Sequence, residues 1–347
     1  MSVSNILHTG WLFPALVLLL ATVLPATAPA AEQVNVYSAR HYDSDDALYD
    51  AFTTATGIEV HVLQGDSDQL IARIQREGGA SPADVLMTVD AARLWRAEQA
   101  GVLEPVRSKI LEERVPAHLR HPQGLWFGFS TRARLIFRRG DAVAEDAVAT
   151  YESLAGPDLR GRVCIRSSTN VYNQSLIASM IAANGAEATQ AWARGLVGNL
   201  ARRPQGGDTD QLRALAAGEC DVAVANHYYY VRLQESDDAG DRAVADAISV
   251  VLPNQEGRGA HVNIGGAGVV RGAPHRANAV RFLEFLASPE AQALFAAGNY
   301  EFPAVPDAEP HPAIAFLEGM RTDQVNVSVL GRHNAEAVKI ADRAGWR

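Results

Sequence analysis

Five residues carry the chemistry in this sequence: His41 and Tyr42, Tyr172, and Tyr228 with Tyr229. The chain has nine tyrosines, so three in a row within "DVAVANHYYYVRL" (Asp221 to Leu233) need a reason. All five stand in the same kind of place, after a strand-like run and at the start of a helix-like one. "VNVYSA" runs into His41 and Tyr42. The cap candidates Ser168, Thr169 and Asn170 precede Tyr172. The apolar run Val222 to Ala225 leads through Asn226, a plausible N-cap, into the tyrosine row. A helix N-terminus carries partial positive charge and free N–H donors, which favour ionisation of a phenol. Tyrosine has a pKa of about 10 and rarely ionises alone, but a highly charged cation expels the proton. Phenolate is a hard oxygen donor, and its natural partner is a hard trivalent ion such as Fe3+. Four phenolates and one neutral imidazole would give that ion a five-coordinate site with one net negative charge. Calcium or magnesium would call for carboxylates, and zinc for His and Cys.

Blander roles stand beside this one. A tyrosine in a first helical turn usually packs or hydrogen-bonds near the cap. Paired aromatics in a cleft also stack on sugars, which is the competing reading of Tyr228 and Tyr229. A histidine such as His41, taken alone, is an ordinary surface residue. Helix geometry turns Tyr230 away from at least one of its neighbours, so it is left out of the site.

The elements that must position these residues follow from periodicity. "VNVYSA", "IEVHVLQ" and "ADVLMTV" read as strands. Between them lie two helices, one capped by Asp43 or Ser44 and ending at Gly57, the other over "SDQLIARIQREGG". This βαβαβ order implies parallel strands with helices on their faces. A second α/β unit follows: "GRVCIRS", the helix "TNVYNQSLIASMIAANG", the helix "QLRALAAGE", the strand "CDVAVAN" and the helix opened by the tyrosines. Two long extended runs, "GLWFGFSTRARLIFRR" (124–139) and "HVNIGGAGVVRG" (261–272), connect the units. An amphipathic helix over "RANAVRFLEFLASPEAQALFA" and a tail ending "EAVKIADRAGWR" close the chain. Two α/β lobes joined by long strands make a hinged clamshell, with the ligand in the cleft at the C-terminal ends of the strands.

The apolar run Trp11 to Leu24, followed by "PATAPAA", reads as a signal peptide cut near Ala30 or Ala31. It contains Pro14 and is short for a membrane span. Export by this route suggests the periplasm. The remaining chain suffices for two domains. A net charge of −9 without a basic stripe argues against nucleic acid. The two cysteines, Cys164 and Cys220, sit at or near strands; a disulfide and two buried thiols are both open. There is no phosphate loop, H-E-x-x-H, G-x-S-x-G or complete G-x-G-x-x-G, and no nucleophile–base pair, so an enzyme is not expected.

The stretches "YSARHY", "SPADVLMTVDAARLWRAEQAG", "GRVCIRSSTNVYNQS", "ANHYYYVRL", "PNQEGRGAHVN" and "EAVKIADRAGW" resemble the periplasmic ferric-iron-binding proteins of ABC importers, of the Fbp/Fut type and closer to the Fut-like branch. The resemblance implies a type II periplasmic-binding-protein clamshell with two mostly parallel sheets. It implies lobes of residues 32–128 with 264–300 and 129–263 with 301–347, after a leader of 1–31. It implies iron ligands at His41, Tyr42, Tyr172, Tyr228 and Tyr229, and delivery of Fe3+ by a monomer to an inner-membrane permease. The other branch takes a carboxylate ligand after "SPADV"; here Val89 stands at that place, so no obligatory phosphate or carbonate is expected. Arg40, Arg166 and Arg203 are candidates to offset charge beside the phenolates. The rival is a protein of the same fold for an organic solute, a sugar or polyamine, with stacking tyrosines.

Overall fold

A computed structural model describes residues 1–2, 32–40 and 42–347. The expected leader, apart from its first two residues, lies outside the described residues, and so does His41. The strands are β1 (Gln33–Ser38), β2 (Glu59–Gln64), β3 (Val85–Val89), β4 (Phe127–Arg138), β5 (Val163–Cys164), β6 (Val222–Asn226), β7 (Ser249–Val251), β8 (Val262–Val269) and β9 (Phe302–Pro303). They pair in the order β2-β1-β3-β8-β4-β6-β5, with β7 and β9 also on β4.

Parallel pairing joins β1 to β2 and β3, and β5 to β6. The two long strands pair antiparallel with their neighbours, which makes the sheet mixed where mostly parallel sheets were expected. Strand β4 changes partner along its length. Phe127 to Ala133 pair with β8, and Arg134 to Arg138 with β6. It therefore belongs to both α/β halves, and with β8 it forms the connection that the two extended runs foreshadow. The result is a two-lobed clamshell.

Alternation along β4 decides what lies on each side. Ala133, Leu135 and Phe137 enter a buried apolar cluster with Leu212, Leu215, Ala223, Ala225 and Val231. Arg132 and Arg134, on the opposite side of the pleat, are 2% exposed. Two guanidiniums in a buried strand need partners, because an unpaired buried charge is costly.

The helices follow their caps. Asp66 accepts from the N–H groups of Asp68 and Gln69 at the start of Ser67–Glu77. Gly57, at φ 72°, ends Asp45–Thr56. The long helix expected over "RANAVRFLEFLASPEAQALFA" is two, Arg276–Leu286 and Pro289–Asn299. Ser288 accepts from the N–H of Ala291 and Pro289 occupies the first position, a start signal inside an otherwise helical pattern. The helix beginning at Val171 resumes beyond the kink at Gly185 and runs to Gly198. Cys164 and Cys220 form a disulfide with their Cα atoms 5.9 Å apart. It ties β5 to the segment entering β6.

Candidate metal centre

Each site tyrosine is placed by the end of a strand and the start of a helix. Tyr172 follows Asn170, whose side chain accepts from the Tyr172 N–H at 2.9 Å and caps Val171–Gly198. Tyr228 and Tyr229 lie in the first turn of His227–Gln234, directly after β6. Tyr42 follows β1, and its carbonyl accepts from the N–H of Asp45, where Asp45–Thr56 begins.

These separate junctions converge. The Tyr228 hydroxyl lies 3.4 Å from that of Tyr172. The Tyr228 and Tyr229 rings are 4.4 Å apart between centroids, at 35°. The Arg232 guanidinium lies 5.5 Å from the Tyr42 ring, 5.2 Å from Tyr228 and 5.6 Å from Tyr229. Tyr42, Tyr172, Tyr228 and Tyr229 therefore form one cluster. Tyr230 turns away and packs on Phe137 and Phe316. His41, the fifth expected ligand, lies outside the described residues.

Electrostatics keep Tyr42, Tyr172 and Tyr228 protonated in the metal-free cluster. Burial raises the Tyr228 pKa well above its ordinary value, and the neighbouring oxygens of Tyr172, Tyr42 and Tyr229 raise it further. Burial also raises Tyr172, with Tyr229 adding to it, and raises Tyr42, with Glu301 adding to it. Hydroxyls this close cannot all ionise unless a cation is placed among them.

Two fully buried carboxylates, Glu301 and Asp208, flank the phenols, each paired with two arginines. Glu301 is fully buried. It accepts from Ser130 Oγ at 2.6 Å and pairs with Arg40 at 3.3 Å and Arg132 at 2.9 Å. Burial opposes its ionisation, but the two guanidiniums overcome this and hold its pKa at about 2. Burial likewise opposes the charge of Arg132, while Glu301 and the hydroxyls of Tyr42, Tyr228 and Tyr172 favour it, and its pKa is raised. Arg40 also grips both oxygens of Asp45, at 2.8 and 3.1 Å, and covers the Tyr42 ring at 4.8 Å. Gly265 on β8 leaves room for this set. A Cβ there would lie 2.5 Å from Arg40 Nη1 and 2.6 Å from Ser130 Oγ. On the other side Asp208 pairs with Arg134 at 3.0 Å and Arg166 at 3.4 Å, and Arg166 lies 5.6 Å from the Tyr172 ring.

Of the expected arginines, Arg40 and Arg166 touch the site, whereas Arg203 is exposed. Val89 is buried at the end of β3. Arg132, Arg134, Arg232, Glu301 and Asp208 were missed. The first two carried a signal, two charges spaced by two within the apolar run "FGFSTRARLIF". Glu301 and Asp208 carried none, because their partners are distant in sequence.

Comparison with known proteins gives concordant results. The model of a family described as bacterial extracellular solute-binding protein matches residues 47–322. Iron uptake protein A1 of Synechocystis sp. is 50% identical over 323 residues, 93% of this chain and 90% of its own. The structure of the Trichodesmium protein IdiA (FutA) in complex with iron and citrate ligands superposes with a TM-score of 0.88 at 50% identity, covering 91% of this chain and 100% of that one. A ferric binding protein from Campylobacter jejuni superposes at 0.85 with 39% identity, covering 90% of this chain and 100% of that one.

Proposed function

The chain belongs to the bacterial extracellular solute-binding proteins, and on that footing we propose that it is a periplasmic ferric-ion-binding protein that captures Fe3+ in its interlobe cleft and delivers it to an ABC permease. The observation that carries this reading is the convergence of four tyrosines from three strand–helix junctions on one buried spot. Fe3+ is the cargo. Tyr42, Tyr172, Tyr228 and Tyr229 would bind it as phenolates, with His41 as the nitrogen donor. Each phenol must lose its proton when iron enters, so binding releases protons. Arg132, facing three of the four hydroxyls, offsets the negative charge that remains.

In this reading the lobes are residues 32–128 with 264–300 and 129–263 with 301–347, and the protein acts as a monomer that binds and releases without a catalytic step. His41 and Tyr42 would come from the first lobe and the other three ligands from the second, so iron stabilises the closed form. The organic-solute alternative needs a ring face open to stacking. Tyr228 is fully buried, and its ring is taken up by Tyr229 on one side and His227 on another. That geometry favours the metal.

The test is a visible spectrum of the purified mature protein during addition of ferric citrate. A phenolate-to-iron charge-transfer band saturating at one iron per chain is expected. A protein that stays colourless after stripping and reloading would send the search to organic solutes. A Tyr229→Phe variant that keeps wild-type iron affinity would sink the ligand assignment.

A further inference from the structure

Asn226 stands where a helix cap is expected, at the end of β6 and before His227–Gln234, yet its side chain makes no capping hydrogen bond. It is turned to other work. Its Oδ1 accepts from Arg134 Nη1 at 2.9 Å, and its backbone N–H donates to Asp208 Oδ2 at 2.9 Å. A guanidinium can only donate, so the oxygen end of the carboxamide must face Arg134. The amide end is then fixed on the other side, where Nδ2 lies 3.4 Å from the Tyr228 hydroxyl oxygen.

The frame behind Asn226 is rigid. Asp208 is fully buried and joined to Arg134 and Arg166. Arg134 Nη2 donates to Asn173 Oδ1 at 2.7 Å, and Asn173 Nδ2 donates to the Arg166 carbonyl at 2.8 Å. This links the first turn of the helix carrying Tyr172 to the end of β6, the strand that leads into Tyr228.

We infer that Asn226, oriented by Arg134 and Asp208, is a positioning residue for iron: its amide donates to the Tyr228 oxygen and fixes where that oxygen meets the metal. The inference rests on the reading of Tyr228 as a ligand. A donor directed at a phenolate oxygen stabilises the charged form. It also lowers the energy of the filled orbital from which the charge-transfer transition starts. Loss of the donor raises that orbital and narrows the gap to iron.

The experiment uses the full mature protein as Asn226→Ala and Asn226→Asp. The second keeps the shape and the acceptor for Arg134, and it removes the donor. It decides the matter where Asn226→Ala does not fold. Circular dichroism of the apo form reports folding, titration with ferric citrate gives the band, and citrate competition gives affinity. The expected result is one iron per chain, a band maximum moved to longer wavelength, and iron bound about 10- to 100-fold more weakly. An unmoved maximum in a folded variant overturns the inference, even if affinity falls, since affinity alone would also respond to a merely structural role. Absence of any band in the wild type is a separate failure, which removes the ligand reading and this inference with it.

Discussion

Two buried carboxylates flank the tyrosines, each between two arginines: Glu301 between Arg40 and Arg132, Asp208 between Arg134 and Arg166. Their surroundings differ. Around Asp208, both terminal nitrogens of Arg134 have hydrogen-bond partners, in Asp208, Asn226 and Asn173. Around Glu301, the three guanidinium nitrogens of Arg132 and Glu301 Oε1 make no hydrogen bond among the described residues, although the charges face each other at 2.9 Å. The Asp208 cluster is a nearly closed frame, with Arg134 Nε alone of that guanidinium left without a partner among the described residues, and it links the segments carrying Tyr172 and Tyr228. In the Glu301 cluster Oε2 accepts from Ser130 and Arg40, while Arg132 is held by Coulomb attraction, with its donors left over beside the phenols. One side supplies rigidity, and the other supplies charge that can answer an incoming cation.

The largest effect expected from this difference is on stability. Asp208→Asn strips the carboxylate from two arginines in a buried frame and should destabilise the apo protein by about 3–5 kcal/mol. Glu301→Gln should cost at least as much: Arg40 keeps both oxygens of Asp45, but Arg132 loses its one salt-bridge partner among the described residues, whereas Arg134 without Asp208 keeps Asn226 and Asn173. Urea unfolding of the two variants ranks them, and a clearly smaller loss in Glu301→Gln would break the comparison. Next in size is the disulfide, which ties β5 to β6 on the Asp208 side. Replacing Cys164 and Cys220 by serine should cost about 2–4 kcal/mol. It should leave the iron band in place, because the frame does not depend on the crosslink. Loss of the band would mean that the crosslink, rather than the hydrogen bonds, holds the tyrosines.

The two sides also predict unequal tyrosines. Tyr228→Phe removes a ligand oxygen from the rigid side and should weaken iron binding by about 100-fold or more, beyond the usual range for residues outside the metal's own ligands. Tyr42→Phe, on a segment steered by Arg40, should lose less and retain a visible band from the remaining phenolates. Equilibrium competition with citrate measures both. Equal losses would erase the distinction between a fixed and an adaptable side.

The sequence shows the ligands better than it shows their supports, and the reason is physical. Tyr42, Tyr172, Tyr228 and Tyr229 are each announced locally, by a strand run before and a cap or helix pattern after. Their convergence needs the clamshell, which the βαβ order and the two long extended runs make legible. Glu301 and Asp208 are isolated acids whose meaning comes from Arg132 and Arg134, far away along the chain and brought close by β4. The side chain of Asn226 shows the same limit. Its type and place predict a cap, and a tertiary partner, Arg134, overrides that preference. The split at Ser288-Pro289 is a different kind of miss, since both start signals stand in the sequence and the amphipathic pattern masked them.

The smallest effect tests the Asp208 side from the connecting strands. His261, at the start of the second extended run, is buried, and its backbone is tied to that of Arg134 by a 3.0 Å hydrogen bond. Burial first, then the nearby Arg134 and Arg258, push its pKa from an ordinary 6.5 down to about 3. The folded protein therefore keeps this imidazole neutral over a pH range in which the unfolded chain protonates it. The stability this difference supports is complete above about pH 6.5. It declines as pH falls through that value, by up to about 1.4 kcal/mol per pH unit, until the folded group itself titrates near 3. His227, pushed down to about 4 chiefly by burial, acts in the same direction. Urea midpoints of the apo protein at pH 7 and pH 5 should show the decline. His261→Gln should remove part of it and leave the His227 share. An unchanged slope in that variant would mean that His261 is not held neutral, and that the charge of Arg134 is spent on Asp208 and its amide partners alone.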